Sequence, residues 1–193
     1  MTREQANGQG PVRPAMRIAI IAMYTGTCVG GAYMLTLIPN IEIFSMLVFM
    51  GGILFGKAIG SMNGLLSALM YFLFNILGAS PAPLLVVQLV AYTALGLLGG
   101  VIRRARIRTA VGTTSQVCFG LIGGAFAFVY TFTADVVFSL VMGINLLAWI
   151  LQGIIFTILL IACNVITFGL LLPLLLVGID KHLATAFPNA IHA

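Results

Sequence analysis

The stretch LAWILQGIIFTILLIACNVITFGLLLPLLLV, Leu147 to Val177, contains no charged residue. About 20 apolar residues are enough for a helix to cross about 30 Å of hydrocarbon, so this stretch reads as a transmembrane helix. It is longer than a crossing requires, which predicts a tilt or a projection beyond one surface. It stops at Asp180-Lys181-His182, where the chain becomes polar again.

Five more apolar segments precede it. The first spans Ala15 to Ile38 and ends at Pro39-Asn40. The second, Ile43 to Gly56, is short for a crossing, and Lys57 reads as a residue that snorkels its ammonium to the interface. The third, Ile59 to Leu77, is stopped by Gly78-Ala79-Ser80-Pro81-Ala82-Pro83. The fourth runs from Leu84 to Ile102 and meets Arg103, Arg104, Arg106 and Arg108; the fifth runs from Ala110 to Phe132. Residues 133–147 read as a less regular interfacial segment with some helix. The expectation is an all-α polytopic membrane protein, a compact bundle of six transmembrane helices over 15–180, with polar tails at 1–14 and 181–193. The first apolar run is too long for a cleaved signal peptide and has too many successors.

Composition agrees. The chain is 61% hydrophobic and 7% charged, whereas soluble domains carry roughly a quarter charged residues. Cys28, Cys118 and Cys163 lie in apolar segments without C-x-x-C spacing and read as small buried hydrophobes. The motifs G-x-x-x-x-G-K-[ST], H-E-x-x-H and G-x-S-x-G are absent, and no acidic or basic group falls at mid-span to form a proton relay. No enzyme, metal or cofactor is expected, and any work driven by ATP requires a partner.

The net charge of +5 reports orientation rather than nucleic-acid binding. If the N-terminus is cytoplasmic, all nine Lys and Arg residues face the cytoplasm and the outer loops hold only Glu42 and Asp135. This asymmetry places both termini inside and requires an even number of spans. Small residues supply close helix contacts in lipid. Gly52, Gly56, Gly60 and Gly64, then Gly96 with Gly100 and Gly120 with Gly124, read as packing faces. Ala15, Ala19 and Ala22, continued by Gly26 and Gly30, form a stripe on the first helix that suits either bundle packing or a protein partner.

Polar groups that break the apolar pattern gather toward the outer side: Asn40, Glu42, Asn75, Gln88, Tyr92, Tyr130, Asp135, Asn145, Trp149 and Gln152. Gln88 and Tyr92 are four apart and share a helix face. Together these groups suit a mostly apolar pocket with a few hydrogen-bonding groups and stacking rings. The tyrosines and Trp149 equally suit an interfacial belt, Asn40 a turn, and Glu42 and Asp135 solvated loop charges. Gln88 is hardest to dismiss, because a carboxamide within a span requires a partner. Asn164 and Asn63 read first as interhelical hydrogen bonds, with ligand contact a second reading for Asn164.

Three stretches carry a family resemblance. Pro39-Asn40-Ile41-Glu42-Ile43-Phe44 leads into Leu54-Phe55-Gly56 and Gly60; LMYFLFNILG (69–78) is followed by PAPLLVVQLVAYTALGLLGGVI (81–102); and ACNVITFGLLLPLL (162–175) closes the last helix. Over residues 15–180 the chain resembles the substrate-binding (S) components of energy-coupling factor transporters for vitamins and related micronutrients. In that pattern a His often precedes the last-helix Asn; here Asn164 stands behind Ile161 and Ala162. The resemblance implies six helices and cytoplasmic termini, with a ligand held near the outer surface beneath the first loop. The implied ligand residues are Asn40, Glu42, Asn75, Gln88, Tyr92, Trp149, Gln152 and Asn164.

It also implies docking of Ala15, Ala19 and Ala22 on a separate transmembrane (T) subunit that works with ATP-binding cassette ATPases. The expected function is therefore substrate capture for an ATP-driven importer in a prokaryotic plasma membrane. Its partners would be a vitamin or similar micronutrient, the T and ATPase subunits and membrane lipid, with no nucleic acid. A self-sufficient carrier or channel and a non-transporting assembly subunit are the alternatives.

Overall fold

The computed structural model describes residues 14–38, 40–102 and 112–186. Pro39, Ala110, Arg3, Arg13 and the four arginines at 103–108 lie outside the described residues, as do most of both expected tails. The elements are α1 (Pro14–Leu35), α2 (Phe44–Phe55), α3 (Lys57–Leu73), α4 (Ala82–Ile102), α5 (Thr113–Met142) and α6 (Leu146–Ile166). A π-helical turn, Thr167–Leu171, then joins α6 to α7 (Leu172–Ala186). Among the described residues, four helical stretches are long and apolar enough to cross a membrane: Pro14–Leu35, Ala82–Ile102, Thr113–Met142 and Leu146–Ile179. Large apolar side chains such as Met34, Leu140 and Ile155 stand more than 70% exposed on them, as lipid-facing surfaces require. The protein is an all-α, polytopic membrane protein.

The short helix α2 forms the centre. Every residue from Phe44 to Ile53 is buried. Twelve residues make a helix of about 18 Å, less than the hydrocarbon thickness, but a helix enclosed by protein need not match the lipid. On one side Phe49 meets Phe168 (5.3 Å between ring centroids) and Phe119 (6.3 Å). On the other, glycine lets three backbones touch. A Cβ added at Gly52 would lie 2.1 Å from the Gly96 carbonyl oxygen, and one at Gly96 would lie 2.1 Å from that of Gly60. Any side chain there would force α2, α3 and α4 apart. Gly56 (φ 89°) does something different: its positive φ turns α2 directly into α3. Lys57 consequently opens α3, exposed, and does not extend the second span.

Polar bonds fix α1 on this core. Thr25 Oγ1 donates to Asn63 Oδ1 (2.9 Å) and Tyr24 Oη to the Leu47 carbonyl (2.9 Å), so Asn63 is the interhelical bond its sequence position suggested. By contrast, a Cβ at Gly26 or Gly30 would meet nothing within 4 Å. The face bearing Ala15, Ala19 and Ala22 is exposed along its length.

Two sequence expectations are corrected here. Residues 133–142 are not an irregular segment; they continue α5, which ends at Gly143 in the left-handed conformation (φ 65°), a common helix stop. The last apolar run is not one uniform helix either. Pro173 has no N–H to return to the Gly169 carbonyl, the kind of interruption a π turn accommodates. The helix resumes to Ala186, into the stretch read as a C-terminal tail.

Candidate functional site

The α1–α2, α3–α4 and α5–α6 connections meet at one end of the bundle. Tyr33 Oη donates to the Phe74 carbonyl (2.7 Å), while Asn40 shares a cavity with Asp135 and Trp149. The turn between α2 and α3 is at the opposite end, where Lys57 packs on Gly100.

Two adjoining cavities open at the connection end. One, about 290 Å³, lies under the α1–α2 loop and is lined by Thr36, Asn40, Glu42, Tyr71, Phe72 and Tyr92, among others. The second, about 360 Å³, lies between α5 and α6 and includes Thr131, Asp135, Trp149 and Gln152. They share Asn40, Tyr130 and Leu160. Tyr130 also borders a third, almost wholly apolar groove of about 420 Å³ between α4 and α5.

Glu42 anchors the first cavity. As a residue it is half-buried, yet its carboxyl turns inward, accepting hydrogen bonds from Ser45 Oγ and from Asn164 Nδ2 (3.3 Å). Next to Asn164, Cys163 exchanges hydrogen bonds with the Glu42 backbone, accepting from its N–H and donating to its carbonyl, both at 3.3 Å. Two consecutive residues of the last helix thus hold the first loop. Burial pushes the Glu42 carboxyl above the usual carboxylate range, against the opposing pull of the Ser45 and Asn164 hydrogen bonds. Asn40 adopts φ 57°, a conformation Asn tolerates better than most residues, and so turns the chain toward Glu42.

The aromatic wall is built around Tyr92. Its ring lies 4.8 Å from Phe44 and 5.6 Å from each of Phe72, Phe126 and Tyr130. Its hydroxyl is 3.3 Å from Ser45 Oγ. In the second cavity Trp149 stacks on Phe138 (4.6 Å) and donates from Nε1 to Asp135 Oδ1 (3.0 Å).

Among the described residues, three buried polar atoms have no hydrogen-bond partner: Gln88 Oε1, Thr131 Oγ1 and Asn164 Oδ1. Buried polar groups are normally paired, so each is a place where something outside this chain can bond. Gln88 is 4% exposed and Asn164 1%. The Gln88 side chain is a hydrogen-bond partner of the Tyr130 hydroxyl, and Asn164 reaches Glu42; each sits directly behind the lining of the cavities.

Of the residues singled out from sequence, Asn40, Glu42, Tyr92, Trp149 and Gln152 line the cavities, with Gln88 and Asn164 behind them. Asn75 is not brought in. α3 ends at Leu73, and Asn75 Oδ1 accepts from the Leu77 N–H (2.8 Å), shaping the turn. Asn145 caps α6, accepting from the Ala148 N–H. Asp135, read as a solvated loop charge, is on α5 and bonded to Trp149. Cys163, read as a small hydrophobe, is half-buried and hydrogen-bonded, and Cys118 is exposed. Sequence reasoning missed Ser45 and Tyr71. Ser45 had a signal, three residues after Glu42 at a helix start; Tyr71 had none among ordinary span aromatics. Among the described residues, no three His, Cys, Asp or Glu side chains group as metal ligands.

The fold is that of a multi-pass membrane protein, with two small-molecule-sized cavities where its helix connections meet. No protein-family model, characterised protein or solved structure matches the chain.

Proposed function

We propose that the protein is the substrate-capture subunit of an ATP-driven modular importer, of the energy-coupling factor type that its sequence resembles. In this reading it crosses a prokaryotic plasma membrane six times with both termini cytoplasmic, and α2 and α3 complete the six. The connection end faces outward. The observation that carries the reading is convergence: the first loop, α4, α5 and α6 supply Glu42, Tyr92, Asp135, Trp149 and Gln152 to two adjoining cavities. Behind the lining, Gln88 and Asn164 each keep an unpaired buried acceptor. Aromatic walls with a few unsatisfied polar atoms suit a vitamin-sized ligand.

Transport makes and breaks no bond in the substrate. The loop carrying Asn40 and Glu42 closes over the ligand, and the exposed Ala15-Ala19-Ala22 face of α1 docks on the T subunit, whose ATPase partners supply energy. The test is native mass spectrometry of the protein purified from its own membranes in mild detergent. A bound small molecule other than lipid, lost in Gln88→Ala, is the expected result. Identical lipid-only spectra for both proteins would remove the capture role.

A further inference from the structure

The paired cavities have a one-sided chemistry. Their ionisable groups include two carboxyls, Glu42 and Asp135, and among the described residues no Lys, Arg or His lines either cavity. The described basic side chains, Arg17 and Lys57, are exposed at the far end of the bundle. The unpaired buried atoms point the same way. Gln88 Oε1 and Asn164 Oδ1 are acceptors, more than nine-tenths buried, and Thr131 Oγ1 can accept as well. A bound anion would meet the Glu42 and Asp135 carboxyls with no compensating charge among the described residues. The walls add ring faces, Tyr71, Phe72 and Tyr92 on one side and Trp149 on the other, and such faces attract cations.

From these observations we infer that the ligand is a small organic cation bearing N–H donors, with its charge at Glu42 and its N–H groups toward Gln88 and Asn164. The inference rests on the capture reading above and narrows it to a substrate class. The carboxyl bonded to Ser45 and Asn164 serves as counter-ion, and Asp135, oriented by Trp149, is the second acidic contact. Cavities of about 290 and 360 Å³ admit a molecule of one or two rings.

The test uses benzylammonium, benzyl alcohol and benzoate, three probes of one shape and three charges. Trp149 is the only tryptophan in the chain, and its emission reports binding when excited beyond probe absorption. Benzylammonium should saturate the signal at a concentration at least tenfold lower than benzyl alcohol, and benzoate should not saturate it. Glu42→Gln, which keeps an acceptor for Ser45 and Asn164, should bring benzylammonium down to the level of benzyl alcohol. Equal saturation by benzyl alcohol or benzoate would overturn the cation assignment while leaving a capture site. Failure of all three to saturate would overturn both.

Discussion

Asn164 Nδ2 lies 3.3 Å from Glu42 Oε1, joining residues 122 positions apart. The bond ties the first loop of the chain to its last helix, and it leaves Asn164 Oδ1 buried without a partner. In the proposed capture role, that one side chain holds the first loop in place and offers a ligand an acceptor. Asn164→Ala should remove both functions. Loss of a buried hydrogen bond to a carboxyl costs about 1–3 kcal/mol, so the thermal midpoint in detergent should fall. Ligand affinity should drop with it. An unchanged midpoint would mean that the loop is held by Cys163 and Ser45 alone.

Gln88 should separate stability from binding. Its Oε1 is unpaired, so the ligand-free protein gains little from it. Gln88→Leu should leave the thermal midpoint unchanged or slightly higher, at the loss of its bond to Tyr130. Gln88→Ala and Gln88→Leu should both weaken ligand binding by roughly tenfold or more, equivalent to about 1.4 kcal/mol. Titration of each variant in parallel with its melting curve checks the split; retained affinity would take Gln88 out of the site.

The glycines make a contrasting pair. Gly96→Ala would place a Cβ 2.1 Å from the Gly60 carbonyl oxygen, so α3 and α4 must separate, at a cost of about 1–3 kcal/mol. Gly26→Ala meets nothing within 4 Å and should stabilise α1 by roughly 0.5–1 kcal/mol through helix propensity. Melting both variants in the same detergent decides the matter. Equal effects would contradict the three-helix glycine contact.

Legibility in the sequence followed what hydropathy can and cannot distinguish. The long apolar runs and the Gly/Pro breaks placed α1, α4 and the start of α6 to within a few residues. They could not reveal that α2 is enclosed on all sides, because an apolar residue facing protein looks the same as one facing lipid. Asp135 and Asn145 suggested an irregular segment over 133–147, yet Asp135 is taken by Trp149, Asn145 caps α6, and Thr133 Oγ1 bonds back to the Val129 carbonyl (2.8 Å). Polarity satisfied locally does not break a helix. Gln88, Tyr92 and Trp149 were legible as candidates because polar or amphipathic groups within spans are costly, and the structure places Tyr92 and Trp149 on the cavity walls. Glu42 was legible as a rim group or a loop charge, but its bond to Asn164 was not, since nothing local shows that Asn164 waits for it.

Proton linkage follows from the burial of Glu42, whose carboxyl is raised above its ordinary range. A cation needs the carboxylate, so benzylammonium affinity should rise as pH increases through the raised value and then level off. Asp135, across the second cavity, is the other carboxyl; Tyr71, Tyr92, Tyr130 and Cys163 are the other titratable groups near Glu42. Glu42→Gln should remove the rise that Asp135→Asn leaves. Without ligand the sign reverses: the folded state keeps this proton longer than the unfolded chain, so its contribution to stability falls as pH rises across the same window. A flat binding profile would show that Glu42 is not the counter-charge.

The central claim is that this bundle captures substrate for an energy source it lacks. Affinity purification of the tagged protein from its native membranes in mild detergent, with mass spectrometry of the co-purifying chains, tests it most directly. The account predicts recovery of a T-type membrane subunit with one or two ATPases, and their loss when Ala19→Leu bulks the exposed α1 face without lowering the melting temperature. A folded protein that emerges alone from several gentle detergents and carries flux by itself in liposomes would contradict it.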